Sequence, residues 1–499
     1  MGFRPPRDGR HALGQVPTPT DVAQAMARWV LAAPQRPRTL LEPGAGACAF
    51  TRAALALVPH LAATVVERDR TALDAPGAPA APEGAPESII GDFLLTRALK
   101  GRRFDAILCN PPYIRHHYLT PAYKQRIARR LELDSGLRLS SLAGTHVHFL
   151  VRAALALAPG GRAAFLTGAE WLEARYGVPV REWLLSRGLL RAVFVAHPEE
   201  RIFPRTLSTA AVLLLEATPS DGHVTHGVAL PRSAWLTAIA TAGDTNTNSN
   251  TRAPRPGRIH RVPAAALSAA RWTRPLPAPR SARAPLPPLL GDRFRVRRGV
   301  ATGANAFFVL SPDAARDLPA DLLRPCLTSP RDLTPRFLFT CAVPRPALPA
   351  AALAFILRGE ADGLHLRTVC RTRSPWYSVE RFEPAPLLVG YLARGAPLVV
   401  DNRTRALHLN LFHGIWPRAG TPLRLVRTLA AYLRSPAGAR ALDAAARTYA
   451  GGLRKLEPSD LASLPLPHEF LIRAASRTSP PTRTLPRPVA SSKSARRTR

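Results

Sequence analysis

The sequence predicts an α/β protein, an open, doubly wound, mostly parallel sheet followed by a second, smaller α+β domain. Three observations carry that expectation. Short apolar runs alternate with helical periodicity up to about residue 220. A glycine turn, Glu42-Pro43-Gly44-Ala45-Gly46, separates the first apolar run from the first helical pattern. Polar side chains stand directly after successive apolar runs, where the C-terminal edge of a parallel sheet gathers ligands.

Taken in order, Arg38-Thr39-Leu40-Leu41 reads as the first strand. Phe50, Ala53, Ala54, Leu57 and Val58 repeat at helical spacing beyond the glycine turn. Strand, glycine turn and helix together let a ligand approach backbone at a helix N-terminus. Two alternatives stay open for this turn: a purely structural one, or a dinucleotide fingerprint with Gly44, Gly46 and Ala49 as its small residues. Ala62 to Val66 is the second strand and delivers Glu67, whose carboxylate suits a ribose diol. Ser88-Ile89-Ile90 is the third and runs into Gly91-Asp92-Phe93, where Asp92 can accept from an adenine amine while Phe93 packs on the ring.

The fourth strand, Phe104 to Cys109, delivers Asn110-Pro111-Pro112-Tyr113. Consecutive prolines fix φ and remove two N–H donors, so neighbouring backbone cannot draw the local carbonyls into a ladder or helix. An amide oxygen and a carbonyl are left beside the Tyr113 ring. Such a cluster accepts two hydrogen bonds from an NH₂ group while the ring stacks on the planar system bearing it. An ordinary Asn-Pro-Pro turn is the plain alternative for the tetrapeptide alone.

These residues resemble the class I S-adenosylmethionine-dependent adenine-N6 DNA methyltransferases of gamma order, of the type II restriction–modification (TaqI-like) kind. The resemblance runs roughly from Gly14 to Pro467. Gly14-Gln15-Val16-Pro17-Thr18-Pro19 is similar to the family's Gly-Gln-x-x-Thr-Pro segment, which implies that Thr18 and Pro19 lie over the methionine part of the cofactor. By the same resemblance Glu42, Pro43, Gly44 and Gly46 form the cofactor loop, Glu67 binds the ribose, and Asp92 and Phe93 bind the cofactor adenine. Asn110 to Tyr113 resemble the catalytic motif, with Asn110 also facing the cofactor. Gly160 to Leu166 is similar to the family's fifth strand, and Ile202-Phe203-Pro204 resembles the segment whose aromatic closes the second face of the target base. The implied chemistry is methylation of a flipped-out adenine. Asn110 and the Pro111 carbonyl would grip its amine, with Tyr113 and Phe203 stacked on its faces. One departure stands out: the insert Ile114 to Ala143, rich in Arg and His, is much longer than in compact members, so its contacts cannot be carried over.

Composition agrees with a nucleic-acid partner. The formal net charge is +35 and the sequence pI about 11.6, which suits phosphate binding, although Arg, Ala and Pro abound throughout. Five scattered cysteines without metal spacing read as reduced thiols of a cytoplasmic, nucleoid-associated protein. No apolar run is long enough to cross a bilayer, so no membrane partner is expected. His116-His117 lacks acidic or Cys neighbours and reads as a solvated or phosphate-facing pair; no metal site is expected.

The expected domains are 1–220 (catalytic), 221–288 (Pro-rich linker), 289–470 (target recognition) and 471–499, a basic disordered tail. Gly299 to Leu310 reads as two short strands around a glycine turn and resembles the opening of a target-recognition domain. Helical periodicity follows at Leu423 to Leu433 and Ala439 to Ala446, and Tyr449 to Pro458 resembles the closing segment of such domains. Duplex DNA is the implied partner of a monomer, with room for a separately encoded endonuclease and no fused one. Two other enzymes would use the same Asn-Pro-Pro-Tyr logic, a release-factor glutamine methyltransferase and an RNA base methyltransferase. A DNA-binding protein with a decayed catalytic domain is the third alternative, although Gly44, Gly46, Asn110 and Tyr113 are all intact.

Overall fold

The computed structural model describes residues 16–73, 86–114, 118–203, 208–218, 220–242, 256–268, 271–275, 287–380, 382–449 and 452–467. Gly14, Gln15, His116, His117, Pro204, most of the Thr241 to Arg258 stretch and the tail lie outside them. The chain divides into two compact units, Met1–Ala284 with Thr448–Gly452, and Pro285–Arg447 with Leu453–Arg499.

The first unit is built on one sheet. Its elements run α1 (Thr20–Leu31), β1 (Thr39–Pro43), α2 (Ala49–Leu57), β2 (Ala62–Glu67), α3 (Arg70–Leu73), β3 (Glu87–Ile90), β4 (Phe104–Cys109) and α4 (Pro121–Ser135). They continue with α5 (Thr145–Leu155), β5 (Leu157–Gly168), α6 (Val178–Ser186), β6 (Leu190–Ala196), β7 (Ala210–Glu216), β8 (His223–Leu230), α7 (Arg232–Thr241), β9 (Ile259–Pro263) and α8 (Ala264–Ser268). The strand order is β3-β2-β1-β4-β5-β7-β6-β8-β9. Strands β1 to β5 are mutually parallel, and β7 enters antiparallel between β5 and β6.

Period-two alternation divides the apolar side chains between two cores. Leu41, Ile107, Phe165 and Leu213 join one, with α4, α5 and α6; Leu40, Leu108, Leu166 and Val212 join the other, with α1, α2 and α7. Helix α1 buries Met26, Trp29 and Val30 in this second core. Each such side chain contributes about 1.5–3 kcal/mol.

The sheet reverses its winding between β1 and β4, which are neighbours paired Leu40 to Ala106 and Leu41 to Ile107. A crevice therefore opens beyond their C-terminal ends, the place where such sheets bind ligands. Here the glycine turn after β1 meets the Asn110 loop after β4; the Cys109 thiol donates to the Pro43 carbonyl at 3.4 Å.

Two expectations need correction. Residues 221–288 are not simply a linker, because β8 pairs parallel with β6, and β9 pairs antiparallel with β8, extending the first sheet. The alternating residues of β8, buried at Val224, His226, Val228 and Leu230, account for this: one face meets the core despite a polar composition. Nor do residues 299–310 form a strand pair. Asn305–Phe308 is a helical turn, and Val309–Leu310 pairs with Arg336–Phe339. The strand just before the glycines, Phe294–Arg298, pairs instead with Phe412–Pro417. Partners distant in sequence outcompete the local turn.

The second unit is α+β. One four-stranded sheet runs Phe294–Arg298, Phe412–Pro417, Leu387–Gly390, Val399–Asp401, and another runs Val309–Leu310, Arg336–Phe339, Leu323–Leu327, Leu407–His408. The helix Arg424–Arg434 packs Leu425, Val426, Leu429 and Leu433 in a core shared with Leu387, Val389 and Ile415 of the first sheet. Among the described residues no helix is long and apolar enough to cross a membrane.

Candidate active site

The glycine turn is left-handed at Gly44 (φ 70°), Gly46 (φ 52°) and Cys48 (φ 56°). Its N–H groups are already engaged: Gly44 donates to the Val66 carbonyl at 2.7 Å, Gly46 to Glu67 Oε2 at 2.8 Å, and Cys48 to the Ala45 carbonyl at 2.8 Å. The first turn of α2 is engaged as well. Glu42, 2% exposed, accepts from Phe50 N at 3.2 Å, Thr51 N at 2.7 Å and Thr51 Oγ1 at 2.5 Å. A pyrophosphate needs free donors at this helix end. The buried carboxyl of Glu42 takes them instead, which argues against the dinucleotide alternative. Burial pushes the Glu42 pKa up from 4.5 to about 7 against the pull of those hydrogen bonds.

Gly44 is where the turn approaches the Asn110 loop. A Cβ there would stand 3.2 Å from Phe149 Cε1 and 3.4 Å from Pro112 Cδ, whereas one on Gly46 would meet nothing within 4 Å. Glu67, at the end of β2, accepts from Arg68 N and Asp69 N through Oε1 and from Gly46 N through Oε2. Three donors leave a carboxylate one free acceptor direction, and Asp92 keeps two. Asp92 Oδ1 accepts from Leu94 N at 2.9 Å, and its Oδ2 accepts from the Tyr123 hydroxyl at 2.8 Å. Tyr123 belongs to α4, inside the insert, and is buried. Phe93 is 3% exposed and packs 5.0 Å from the Phe149 ring under the Arg152 guanidinium.

The Asn110 amide is oriented by the N-terminal segment. Its Nδ2 donates to the Val16 carbonyl at 2.9 Å and to Thr18 Oγ1 at 3.0 Å. That fixes which end is nitrogen, and the oxygen is left on the Tyr113 side, where it accepts from the Tyr113 hydroxyl at 3.2 Å. The same hydroxyl lies 3.1 Å from the Leu166 carbonyl. Pro19 N-caps α1 and accepts from Ala23 N, while Pro111 is buried. The Pro112 carbonyl accepts from Thr145 Oγ1 at 2.5 Å, tying the loop to α5.

Phe203 is 2% exposed and meets Tyr113 edge to face, with ring centroids 5.8 Å apart. No third ring fits between two rings in direct contact, so a base stacked between them requires one ring to move. The structure thus brings together Thr18, the glycine turn, Glu67, Asp92, Asn110, Tyr113 and Phe203 around one crevice, with Glu42 beneath it. Tyr123 and Thr145 escape sequence reasoning because only the tertiary fold brings them to the crevice.

The second unit carries a distinct basic feature. A cavity of about 1110 Å³ is lined by Arg295, Arg403, Arg405, Arg418 and Arg427, with Trp416, Glu383 and Asp401 among its walls. The turn that presents Arg403 and Arg405 is built around Asn402, whose Nδ2 donates to the Ala385 and Ala406 carbonyls at 2.8 Å each. Arg405 itself is left-handed at φ 49°, a conformation that costs an L-residue energy and is held here by the turn. These arginines are exposed and outnumber the nearby carboxylates, an arrangement suited to a polyanion.

Comparisons with known proteins find restriction–modification methylases. Residues 85–203 match the Eco57I restriction-modification methylase family, and residues 328–484 match the C-terminal domain of the type II methyltransferase M.Eco57I. The chain is 29% identical to the type II methyltransferase M.XamI of Xanthomonas campestris pv. amaranthicola, covering 94% of this chain and 86% of that protein. It is 24% identical to M.AccI of Acinetobacter calcoaceticus, covering 91% and 85%. Among solved structures, a nuclease-deletion mutant of the type ISP restriction-modification enzyme LlaGI, bound to a DNA substrate mimic, shares the fold with a TM-score of 0.56 at 12% identity. That similarity covers 89% of this chain, which spans about half, 52%, of the LlaGI chain.

Proposed function

We propose, from its similarity to the Eco57I-type restriction–modification methylases, that the chain methylates the exocyclic N6 of a flipped-out adenine in duplex DNA, using S-adenosylmethionine. The observation that carries the adenine assignment is the Asn110 amide, held nitrogen-inward by Val16 and Thr18 with its oxygen toward Tyr113.

The crevice fits the cofactor. Glu67 and Asp92 keep acceptor capacity for a diol and an amine, and Gly44 lets the turn come close to the Pro112 ring. Pro19, Pro43, Gly44, Gly46, Glu67, Asp92 and Phe93 would hold it while Thr18 orients Asn110, and bound there it supplies an electrophilic sulfonium methyl. The remaining chemistry falls to the chain. Asn110 Oδ1 and the Pro111 carbonyl accept the two N–H bonds of the amine, which favours a pyramidal nitrogen whose lone pair is free. To do so, Asn110 must release the Tyr113 hydroxyl, and the Tyr113 ring then stacks on the base in place of its contact with Phe203. No strong base is needed, because the nitrogen attacks while neutral and loses its proton to solvent afterwards. Positioning and fixed dipoles supply most of the acceleration.

The arginine-lined cavity of the second unit supports a nucleic-acid substrate, with phosphate contacts that position the duplex. In the cell the enzyme would act in the cytoplasm on chromosomal DNA, with a separately encoded endonuclease as its restriction partner. The test offers labelled S-adenosylmethionine with duplex DNA, ribosomal or transfer RNA, and release factor. Label in duplex DNA that disappears with Asn110→Ala supports the reading; label only in RNA or protein overturns it.

A further inference from the structure

His146 stands on the first turn of α5, next to Thr145. Besides its bond to the Pro112 carbonyl, Thr145 donates from N to the Ile114 carbonyl and accepts from Ile114 N through Oγ1, both at 3.3 Å. These bonds fix α5 to the loop, and with it the position of His146. Its ring centroid lies 5.8 Å from that of Tyr113 with the planes tilted 31°, and 6.4 Å from that of Tyr176 in an edge contact. Gly144 makes room for it: a Cβ there would come within 2.8 Å of His146 Nδ1 and 2.9 Å of Cε1. Among the described residues nothing hydrogen-bonds either ring nitrogen of His146. Burial, with His148 nearby, pulls the His146 pKa down to about 3, so at neutral pH the ring offers one N–H donor and one bare acceptor.

We propose that His146 reads the target base, hydrogen-bonding a purine ring nitrogen next to the amine that Asn110 and Pro111 grip. The inference rests on the flipped-adenine reading above. An adenine amine is flanked by N1 and N7, both acceptors, and a donor fixed beside Tyr113 can satisfy one of them. A guanine presents N1–H in place of the N1 acceptor and a carbonyl in place of the amine, so a donor aimed at N1 would lose its bond, whereas N7 is an acceptor in both purines. Uncharged, the imidazole also avoids repelling a sulfonium cation.

The test pairs variants with altered bases in the full-length enzyme. His146→Phe keeps a ring and loses the nitrogens; His146→Gln keeps a donor and an acceptor. Each is assayed in single-turnover methyl transfer to a duplex carrying adenine, 1-deazaadenine or 7-deazaadenine at the modified position. Wild type should slow about tenfold on one of the two analogues, the loss of one hydrogen bond. His146→Phe should slow about tenfold on adenine and show no further loss on that analogue, while His146→Gln stays within a few-fold of wild type. Equal rates for wild type on all three bases overturn the proposal, even if His146→Phe fails to fold. So does a His146→Phe variant that loses as much on the analogue as wild type does. Wild type that methylates no adenine at all defeats the underlying reading instead.

Discussion

Replacing Thr18 by valine changes little volume and removes one hydrogen bond. In the structure Thr18 Oγ1 and the Val16 carbonyl are the two acceptors that hold the Asn110 amide nitrogen, at 3.0 and 2.9 Å. With both in place, a flipped amide would set Oδ1 against the Val16 carbonyl. With only one, the amide is less firmly held and its oxygen spends less time aimed at the substrate amine. A single neutral hydrogen bond is worth about 1 kcal/mol, so the single-turnover rate should fall about fivefold. Affinity for S-adenosylhomocysteine, measured by calorimetry, should stay within twofold, and Thr18→Ser should keep the wild-type rate. Asn110→Asp deletes both donors and opposes a carboxylate to the Val16 carbonyl, so its loss should reach roughly 100-fold, the scale on which a preorganised polar contact in the transition state counts. If Thr18→Val turns over normally but binds S-adenosylhomocysteine poorly, Thr18 is a direct ligand and the orienting role is refuted.

Three further outcomes follow from particular features of the two units. Gly44→Ala should cost about 1–2 kcal/mol for the left-handed backbone and more for the crowding against Phe149 and Pro112, whereas Gly46→Ala should cost only the backbone part; denaturant melts and cofactor titrations check the difference. Between pH 4.5 and about 7 the folded protein keeps a proton on Glu42 that the unfolded chain has released, so this group lowers stability by about 3 kcal/mol as the pH rises through that window. Glu42→Gln should remove that slope, and parallel pH–stability curves for variant and wild type would contradict it. Changing Arg403, Arg405 and Arg427 together to Ala should flatten the salt dependence of DNA affinity by about 0.9 for each phosphate no longer neutralised and leave turnover at saturating DNA intact; an unchanged slope would remove that cavity from the interface.

Much of the crevice was legible because a parallel sheet forces its ligand residues to strand ends. The apolar runs before Glu67, Asp92 and Asn110 are β2, β3 and β4, and the glycine turn does follow β1. What the chain order hides is what those side chains lean on. Glu42 reads as a member of the turn, yet its carboxyl turns under it to cap α2, because strand β1 ends directly below the helix. Tyr123 comes from an insert without a compact counterpart, and nothing local to it signals a partner 31 residues away. The strands β8 and β9 were hidden by a polar, Pro-rich surrounding composition, and only their pairing with β6 turns that alternation into sheet. The pair expected at 299–310 failed for the converse reason: an attractive local turn lost to partners that lie far along the chain.

The most direct measurement is nucleoside mass spectrometry of duplex DNA incubated with the purified protein and methyl-labelled S-adenosylmethionine. The expected result is label in N6-methyldeoxyadenosine at one recurring sequence, abolished by Asn110→Ala. Label on a cytosine carbon, or none in DNA from a folded protein that binds the cofactor, would contradict it.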